Sequence, residues 1–484
     1  MSNLTDLLPA GAGGKQVDFV ASGTIGNGVT VGLNSDGTVT AVAETSLSEA
    51  IGSPVIYESI RVENISATFD STNGKVVIAY RFIGNAYGAA VVGTVSGTSI
   101  SFGTPVVFES ANSNQISATF DSTNGKVVIA YRDDGNSQYG TAIVGTVSGT
   151  SISFGTPVVF ETAESRCNSA TFDSNSNKIV IAYRDGGNSN YGTAIVGTVS
   201  GTSISFGSPS IFETATSDYI SATFDSNSNK VVIAYQDAGN STRGTSVVAT
   251  VSGTSISFGS PVVFETGSTY FISATFDSNS NKTAIAYADA SNSYYGTAVV
   301  GTVSGTSISF GTPVVFESAR ANYNAATFDS NANKIVIAYQ DAGNSNYGTL
   351  VAGTISGTSI SFGSPSIFES ADSAWVYATF DSNSNKVVIP YEDVGNSQYG
   401  TAVVFQNASV NNNSADFIGI SDAAISDTAS GSVTIKGGIS TNVTGLTANQ
   451  NYYVQDDGTL STTSSDVLAG KALSSTSINL DYTT

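Results

Sequence analysis

The sequence predicts an all-β chain whose centre is a closed seven-bladed β-propeller, because a repeat of about 52 residues fills the middle of the chain and its copies begin and end out of step. The pentad Ala-Thr-Phe-Asp-Ser recurs seven times, with its aspartates at Asp70, Asp121, Asp173, Asp225, Asp277, Asp329 and Asp381. A Gly-Ser/Thr-Pro segment heading a strand also recurs seven times, at Pro54, Pro105, Pro157, Pro209, Pro261, Pro313 and Pro365. The first proline strand precedes any pentad, and the last pentad is followed by no further proline strand. The N-terminal strand Pro54–Glu58 is therefore expected to complete the seventh blade beside Thr401–Val404, which removes the open sheet edges of a linear array.

Each copy reads as four strands, here taken from the second. Strand a is Ile116–Phe120, followed by the turn Asp121-Ser-Thr-Asn-Gly and by strand b, Lys126–Tyr131. A loop rich in Asp, Gly and Asn leads to strand c, Gly140–Val147, and Pro157–Glu161 makes strand d. Strand b is apolar on both faces (Val127, Val128, Ile129, Ala130), as suits a strand sandwiched between neighbouring blades. The period is too short for immunoglobulin-like domains of roughly 100 residues but suits a four-stranded blade. The alternative order puts d innermost and needs no exchange of the first strand. The order with a innermost resembles propellers of the sialidase and Asp-box type, whose inner strand ends in a similar Asp-containing turn. Phe154 stands where those repeats have Trp and the box aspartate is missing, so the resemblance implies topology and no activity.

Composition narrows the partners. A formal charge of -21 and a pI near 4.1 repel a polyphosphate backbone, and no Lys/Arg cluster offsets this, so nucleic acid is not expected. With one cysteine, Cys167, and no histidine, the side chains preferred for zinc and for proton transfer at neutral pH are nearly absent; no metal or cofactor is expected. No apolar run approaches the roughly 20 residues that span a bilayer, and the stretch from Met1 to Pro9 does not read as a secretory signal.

Variation between copies falls on one face. Between strands d and a the repeats diverge, which places Arg61, Arg166, Tyr219, Tyr270, Phe271, Arg320, Tyr323, Trp375 and Tyr377 in loops near the axis. Aromatic rings and arginine anchor recognition surfaces, and rings stack on sugars, so these are the candidate ligand-binding residues. The competing reading is that the rings plug the channel. Tyr87, Tyr139, Tyr191, Tyr295, Tyr347 and Tyr399 recur once per blade and read as packing. On the opposite face Asp173-Ser-Asn-Ser-Asn-Lys resembles the opening of a calcium loop but lacks its Gly and distal carboxylate, so an Asx turn is the better reading. Lysines such as Lys126, Lys230 and Lys386 read as a solvated ring offsetting the aspartates. No catalytic residue is expected: Asp133, Asp185, Asp237, Asp289, Asp341 and Asp393 repeat as scaffold, and only Glu63, Glu164, Asp218 and Asp372 are isolated acids, short of the opposed pair a glycosidase needs.

The ends lie outside the repeat. The order expected is an N-terminal β-rich attachment segment (1–45), the propeller (46–406), a linker (407–415) and a C-terminal β-rich module (416–484), with the two ends forming one β module. Phe19-Val-Ala-Ser-Gly-Thr-Ile-Gly-Asn-Gly, Tyr452-Tyr-Val-Gln-Asp-Asp-Gly-Thr-Leu and Leu468-Ala-Gly-Lys-Ala-Leu-Ser-Ser-Thr carry alternating strands and Asp-Gly hairpin signals. They resemble flanking segments of tail-fibre-like and other virion proteins of tailed phages, particularly those of marine cyanobacteria. That resemblance implies a non-enzymatic virion subunit, released by lysis, that is attached to other virion proteins through its ends and forms a homo-oligomer. Its propeller would bind a host-surface glycan or protein, without membrane insertion. A bacterial extracellular adhesin or filament subunit is the runner-up and a divergent glycan hydrolase the third reading.

Overall fold

The computed structural model describes residues 15–481, so the first 14 residues of the expected attachment segment, with the Met1–Pro9 stretch, lie outside the described residues. The chain forms two compact units: the repeats, Ser48–Asn407, and the two ends, up to Leu47 and from Ala408. Among the described residues no α-helix occurs; short 3-10 turns and hairpins link strands throughout.

Seven sets of paired strands follow the seven repeats. In the second, Lys126–Asp133 (strand b) pairs with Ser113–Asp121 (strand a) on one side and Tyr139–Ser148 (strand c) on the other. The outer position of the blade is shared by two pieces. Ser151–Phe154 covers the far half of strand c through Ser148↔Ser151 and Gly145↔Phe154, and Val158–Glu161 covers the near half through Ala142↔Val158 and Gly140↔Glu161. The Gly-Thr-Pro segment thus lies midway along the outer edge rather than at its start, where Pro157 removes a donor at little cost.

A second departure from the sequence reading concerns the varied segment. It is not a loop: Val158–Asp173 is one strand of 16 residues, outer in the second blade and inner in the third. The same happens at the seam. Val55–Asp70 begins on strand c of the last repeat (Ala402↔Val55, Thr401↔Ile56, Gly400↔Glu58), Ala50–Ile51 adds to it, and its second half is the inner strand of the first repeat.

Packing explains the repeated residues. Strand b is fully buried in every copy, as at Val127, Val128, Ile129 and Ala130. Its closing tyrosine is also buried and donates from its hydroxyl to a glutamate on the outer strand of the preceding blade: Tyr131 to Glu109 at 3.1 Å, Tyr235 to Glu213 at 3.0 Å, Tyr80 to Glu58 at 3.0 Å. The phenylalanine or tyrosine one residue before that glutamate packs on the same tyrosine ring, Phe212 against Tyr235 at 5.1 Å between centroids. Glycine opens strand c because a Cβ at Gly244 would stand 2.4 Å from the Phe264 ring. Burial holds the Tyr235 phenol well above its ordinary pKa, so it stays a donor at any working pH. Tyr235→Phe leaves the half-buried Glu213 without that donor. A loss of about 1.5–3 kcal/mol, the usual worth of a hydrogen bond to a charged group, is expected in urea unfolding; a loss below about 0.5 kcal/mol would show that the contact is not a staple between blades.

At the turns after strand a the aspartates serve the backbone. Asp173 Oδ1 accepts from the N–H groups of Asn175 and Ser176 at 3.0 and 2.9 Å, an Asx turn. Not every lysine of the expected solvated ring is free in solvent: Lys126 Nζ donates to Thr146 Oγ1 at 2.8 Å, and Lys386 is buried and donates to the Ser384 carbonyl at 3.1 Å.

The two ends interleave in one β module. Its first sheet runs Gln16–Val20, Ser430–Ile435, Phe417–Ser421, Thr30–Leu33, Val39–Ala41, closing over Ile25, Val31, Val39, Ile425 and Val433. A second five-stranded sheet, built from residues 439–480, adds its own core around Tyr452, Val454, Ile478 and Leu480, and Val42 from the N-terminal side joins it. The first core is shared, with Ile25, Val31 and Val39 from one end and Ile425 and Val433 from the other, so neither end closes that sheet alone.

Candidate functional site: the varied mouth of the axis

In its inner half each long strand slips in its pairing once, between residues such as Asp218 and Ser221. The residue in the slip has left-handed backbone in every copy: Asn64, Gln115, Cys167, Tyr219, Phe271, Tyr323 and Trp375, with φ between 49° and 53°. Non-glycine residues in this region are strained by about 1–3 kcal/mol and persist where the surroundings impose them. This bulge turns one side chain per blade toward one end of the axis.

Four consecutive members of the set are aromatic and touch in an arc. Tyr219 meets Phe271 at 5.5 Å, Phe271 meets Tyr323 at 5.2 Å, and Tyr323 meets Trp375 at 5.6 Å between centroids, all tilted or edge-on. Tyr270 adds an edge contact to Tyr219 at 5.4 Å. Together they line a cavity of about 740 Å³ that also takes in the polar side chains of Gln115, Arg166, Asn168, Arg184, Asp218 and Gln236. Small-molecule sites span roughly 300–1,000 Å³ and combine apolar walls with a few placed polar groups, which is this composition.

The polar lining is internally paired. Arg184 Nη1 binds Asp218, and Arg166 Nε binds Glu164 at 2.6 Å. Cys167 Sγ lies 3.7 Å from Asp218, and its thiol is pushed up to about 11, chiefly by burial and then by that carboxylate, so it is neutral at physiological pH. Burial also raises the Tyr219 and Tyr323 hydroxyls above their ordinary value.

Below the mouth the channel narrows. Ser66, Ser117, Ser169, Ser221 and Ser273 each accept, at Oγ, a backbone N–H from the next blade's inner strand, from Ala118 to Ser66 at 3.0 Å through Ala326 to Ser273 at 2.9 Å. The collar breaks at Ala325 and Tyr377, where the inner strand of the seventh blade is itself interrupted between Ala374 and Thr379. There Tyr377 replaces the serine and lines an enclosed space of about 180 Å³ instead of the mouth. Beyond it, the uniform end of the axis is ringed by the same Thr and Phe of each copy, with the following Ser of five of them.

The nine residues singled out by sequence therefore separate. Tyr219, Tyr270, Phe271, Tyr323, Trp375 and Arg166 line the mouth. Tyr377 is channel packing. Arg320 lies off the mouth, its Nε donating to Asn322 at 2.8 Å and its guanidinium 4.6 Å over the Tyr294 ring. Arg61 lies at the seam, joining Glu63 at 2.8 Å and Glu392 at 3.1 Å. Sequence reasoning missed Gln115, Cys167 and Asn168 as lining residues. The first two stand in the same repeat column as Tyr219 and Trp375, which is the signal that could have found them.

Glu392 is buried at that seam, and its carboxyl rises from 4.5 to about 7 because desolvation outweighs the nearby Arg61, with Glu63 adding to the rise. The raised folded-state value means that the contribution of Glu392 to stability is fully present below its unfolded pKa of 4.5 and is lost as pH climbs through about 7. Glu392→Gln should therefore gain stability relative to the unsubstituted protein between pH 5 and pH 8. Urea midpoints that differ by the same amount at both pH values would refute the assignment.

No protein-family model matches the chain, and no curated protein matches it. Among solved structures the chain is similar to the BP39L lectin from Burkholderia pseudomallei, with a TM-score of 0.53 at 11% identity, covering 73% of this chain and 98% of that one. The repeat unit is a β-propeller. AofleA from Arthrobotrys oligospora aligns with a TM-score of 0.42 at 11% identity, covering 70% of this chain and 95% of its own. The SapL1 lectin in complex with alpha methyl fucoside aligns at 0.38 and 14% identity, covering 61% and 94%. At 11% identity the likeness to the BP39L lectin is one of fold.

Proposed function

We propose that this propeller is a non-enzymatic glycan-binding module, and that the β module of the two ends attaches it to other proteins of a tailed-phage particle, as a tail fibre or surface decoration, in homo-oligomeric form. The observation that carries the binding reading is the asymmetric mouth, where an arc of half-buried rings shares one cavity with hydrogen-bonding groups. Aromatic faces cover the C–H face of a pyranose while polar side chains take its hydroxyls. Among the described residues Asp218 is the one carboxylate lining the mouth and is held by Arg184, so they do not assemble there the opposed pair of acids that glycoside hydrolysis requires. The virion part of the reading rests on the sequence resemblance of the end segments.

The test has two arms. The full chain, labelled and applied to a glycan array, should bind a defined set of glycans reversibly and release them unaltered; hydrolysis of a bound glycan would overturn the non-enzymatic reading. Mass spectrometry of purified particles from the source should find the chain as a structural component, and its absence from particles would overturn the virion role.

A further inference from the structure

We infer that the ligand of the mouth is an uncharged glycan end and that each chain takes one. This deepens the glycan-binding reading and rests on it. Among the described residues three charged side chains line the cavity, Arg166, Arg184 and Asp218, and each cation already has a carboxylate: Arg184 has Asp218, and Arg166 has Glu164, which it shares with Arg132, itself also held by Asp134. A sialic or uronic acid entering the mouth would meet no free cation, and would have to draw Arg184 away from Asp218, which is itself 29% exposed. The formal charge of -21 opposes an anion further.

A sugar with neighbouring hydroxyls fits the pair as it stands. One hydroxyl donates to the Asp218 carboxylate while the next accepts from the Arg184 guanidinium, so neither charge is left unmatched. Tyr219 follows Asp218 directly in the chain, which sets an apolar ring beside the polar pair.

The stoichiometry comes from broken symmetry. The bulge column reads Asn64, Gln115, Cys167, Tyr219, Phe271, Tyr323, Trp375, so rings occupy four successive blades and polar or thiol side chains the other three. The Arg184–Asp218 pair likewise occurs once: the same strand-b position is arginine in the two preceding copies, but there Arg81 pairs with Glu63 and Arg132 with Asp134 and Glu164, and the following copies hold Gln236, Ala288, Gln340 and Glu392. The composite surface occurs once per ring, at the axis, rather than once per blade.

The experiment sets the full chain against matched pairs of glycans, one member neutral and the other ending in sialic or uronic acid, followed by calorimetric titration with the best neutral oligosaccharide. The neutral member should bind at least about tenfold more tightly, since an anion would face cations that are already paired and, once it drew Arg184 away, the uncompensated Asp218 carboxylate, and titration should give one site per chain. Asp218→Asn, which frees Arg184, should narrow that preference. Glu164→Gln, at a more exposed pair, should narrow it in the same direction and stands in should the first variant not fold. Preference for acidic members, or several equal sites per chain, overturns this inference and leaves the glycan reading intact. An unchanged preference in both variants overturns the role given to the ion pairs. Binding to neither member overturns the glycan reading itself.

Discussion

Deletion of residues 48–58 should abolish the single cooperative unfolding transition of the repeat unit and drive the protein into aggregates. Those residues supply the whole outer strand of the seventh blade, pairing with strand c from Gly400 to Gln406. Without them that strand presents an unpaired row of N–H and C=O groups, a template for pairing with another chain. Side-chain losses add to this. Tyr57 is buried against Tyr80 at 5.1 Å, and Glu58 accepts from the Tyr80 hydroxyl at 3.0 Å. Loss of a buried aromatic alone costs about 3–5 kcal/mol, a large share of the roughly 5–15 kcal/mol by which a domain is stable. A peptide of residues 48–61 added in trans should restore part of the solubility. The measurement is size-exclusion chromatography followed by calorimetry, and a monomeric deletion variant with an unshifted transition would show that the ring does not depend on its first strand.

The ring was legible because the repeat states it many times over. Seven aspartates at a nearly fixed spacing, strands that change character at each Gly-Thr-Pro or Ser-Gly, and a first proline strand without a partner leave few topologies. The Asx turns were legible for the same reason: Asp173 serves its own backbone two and three residues on, a local interaction that needs no tertiary information. What could not be read was side-chain direction in the varied segment. A run such as Thr214-Ala-Thr-Ser-Asp-Tyr carries no signal that it stays extended, and one left-handed residue in a bulge reverses the alternation that would otherwise assign faces. Arg61 and Arg166 fall in the same varied segment, two register positions apart, and nothing local says that Arg61 turns to Glu392 at the seam while Arg166 lines the mouth with Glu164. The difference lies in a partner on another blade, some 330 residues away in one case. Tyr377 was misplaced for a similar reason, because a tyrosine at the position of a collar serine breaks its own strand and fills the channel.

The replacement of Trp375 and Tyr323 together by glycine should reduce glycan binding by about a hundredfold or more while the propeller stays folded. One anchoring ring commonly contributes about 2 kcal/mol, roughly thirtyfold in affinity, and these two touch at 5.6 Å, so their losses will not simply add. Glycine is the right replacement here because both residues sit in left-handed backbone, with φ of 49° and 51°. It relieves strain that alanine would retain, which offsets part of the lost packing. Lys230→Ala, beside an Asx turn toward the uniform end of the axis, is the control and should leave affinity unchanged. The measurement is titration of each purified variant with the glycan that the unsubstituted chain selects on the array, beside a thermal melt. Full affinity in a folded double variant would assign Trp375 and Tyr323 to channel packing and move the binding surface away from the axis. A loss confined to this variant, with the melt preserved, makes the arc the anchor on which the sugar stacks.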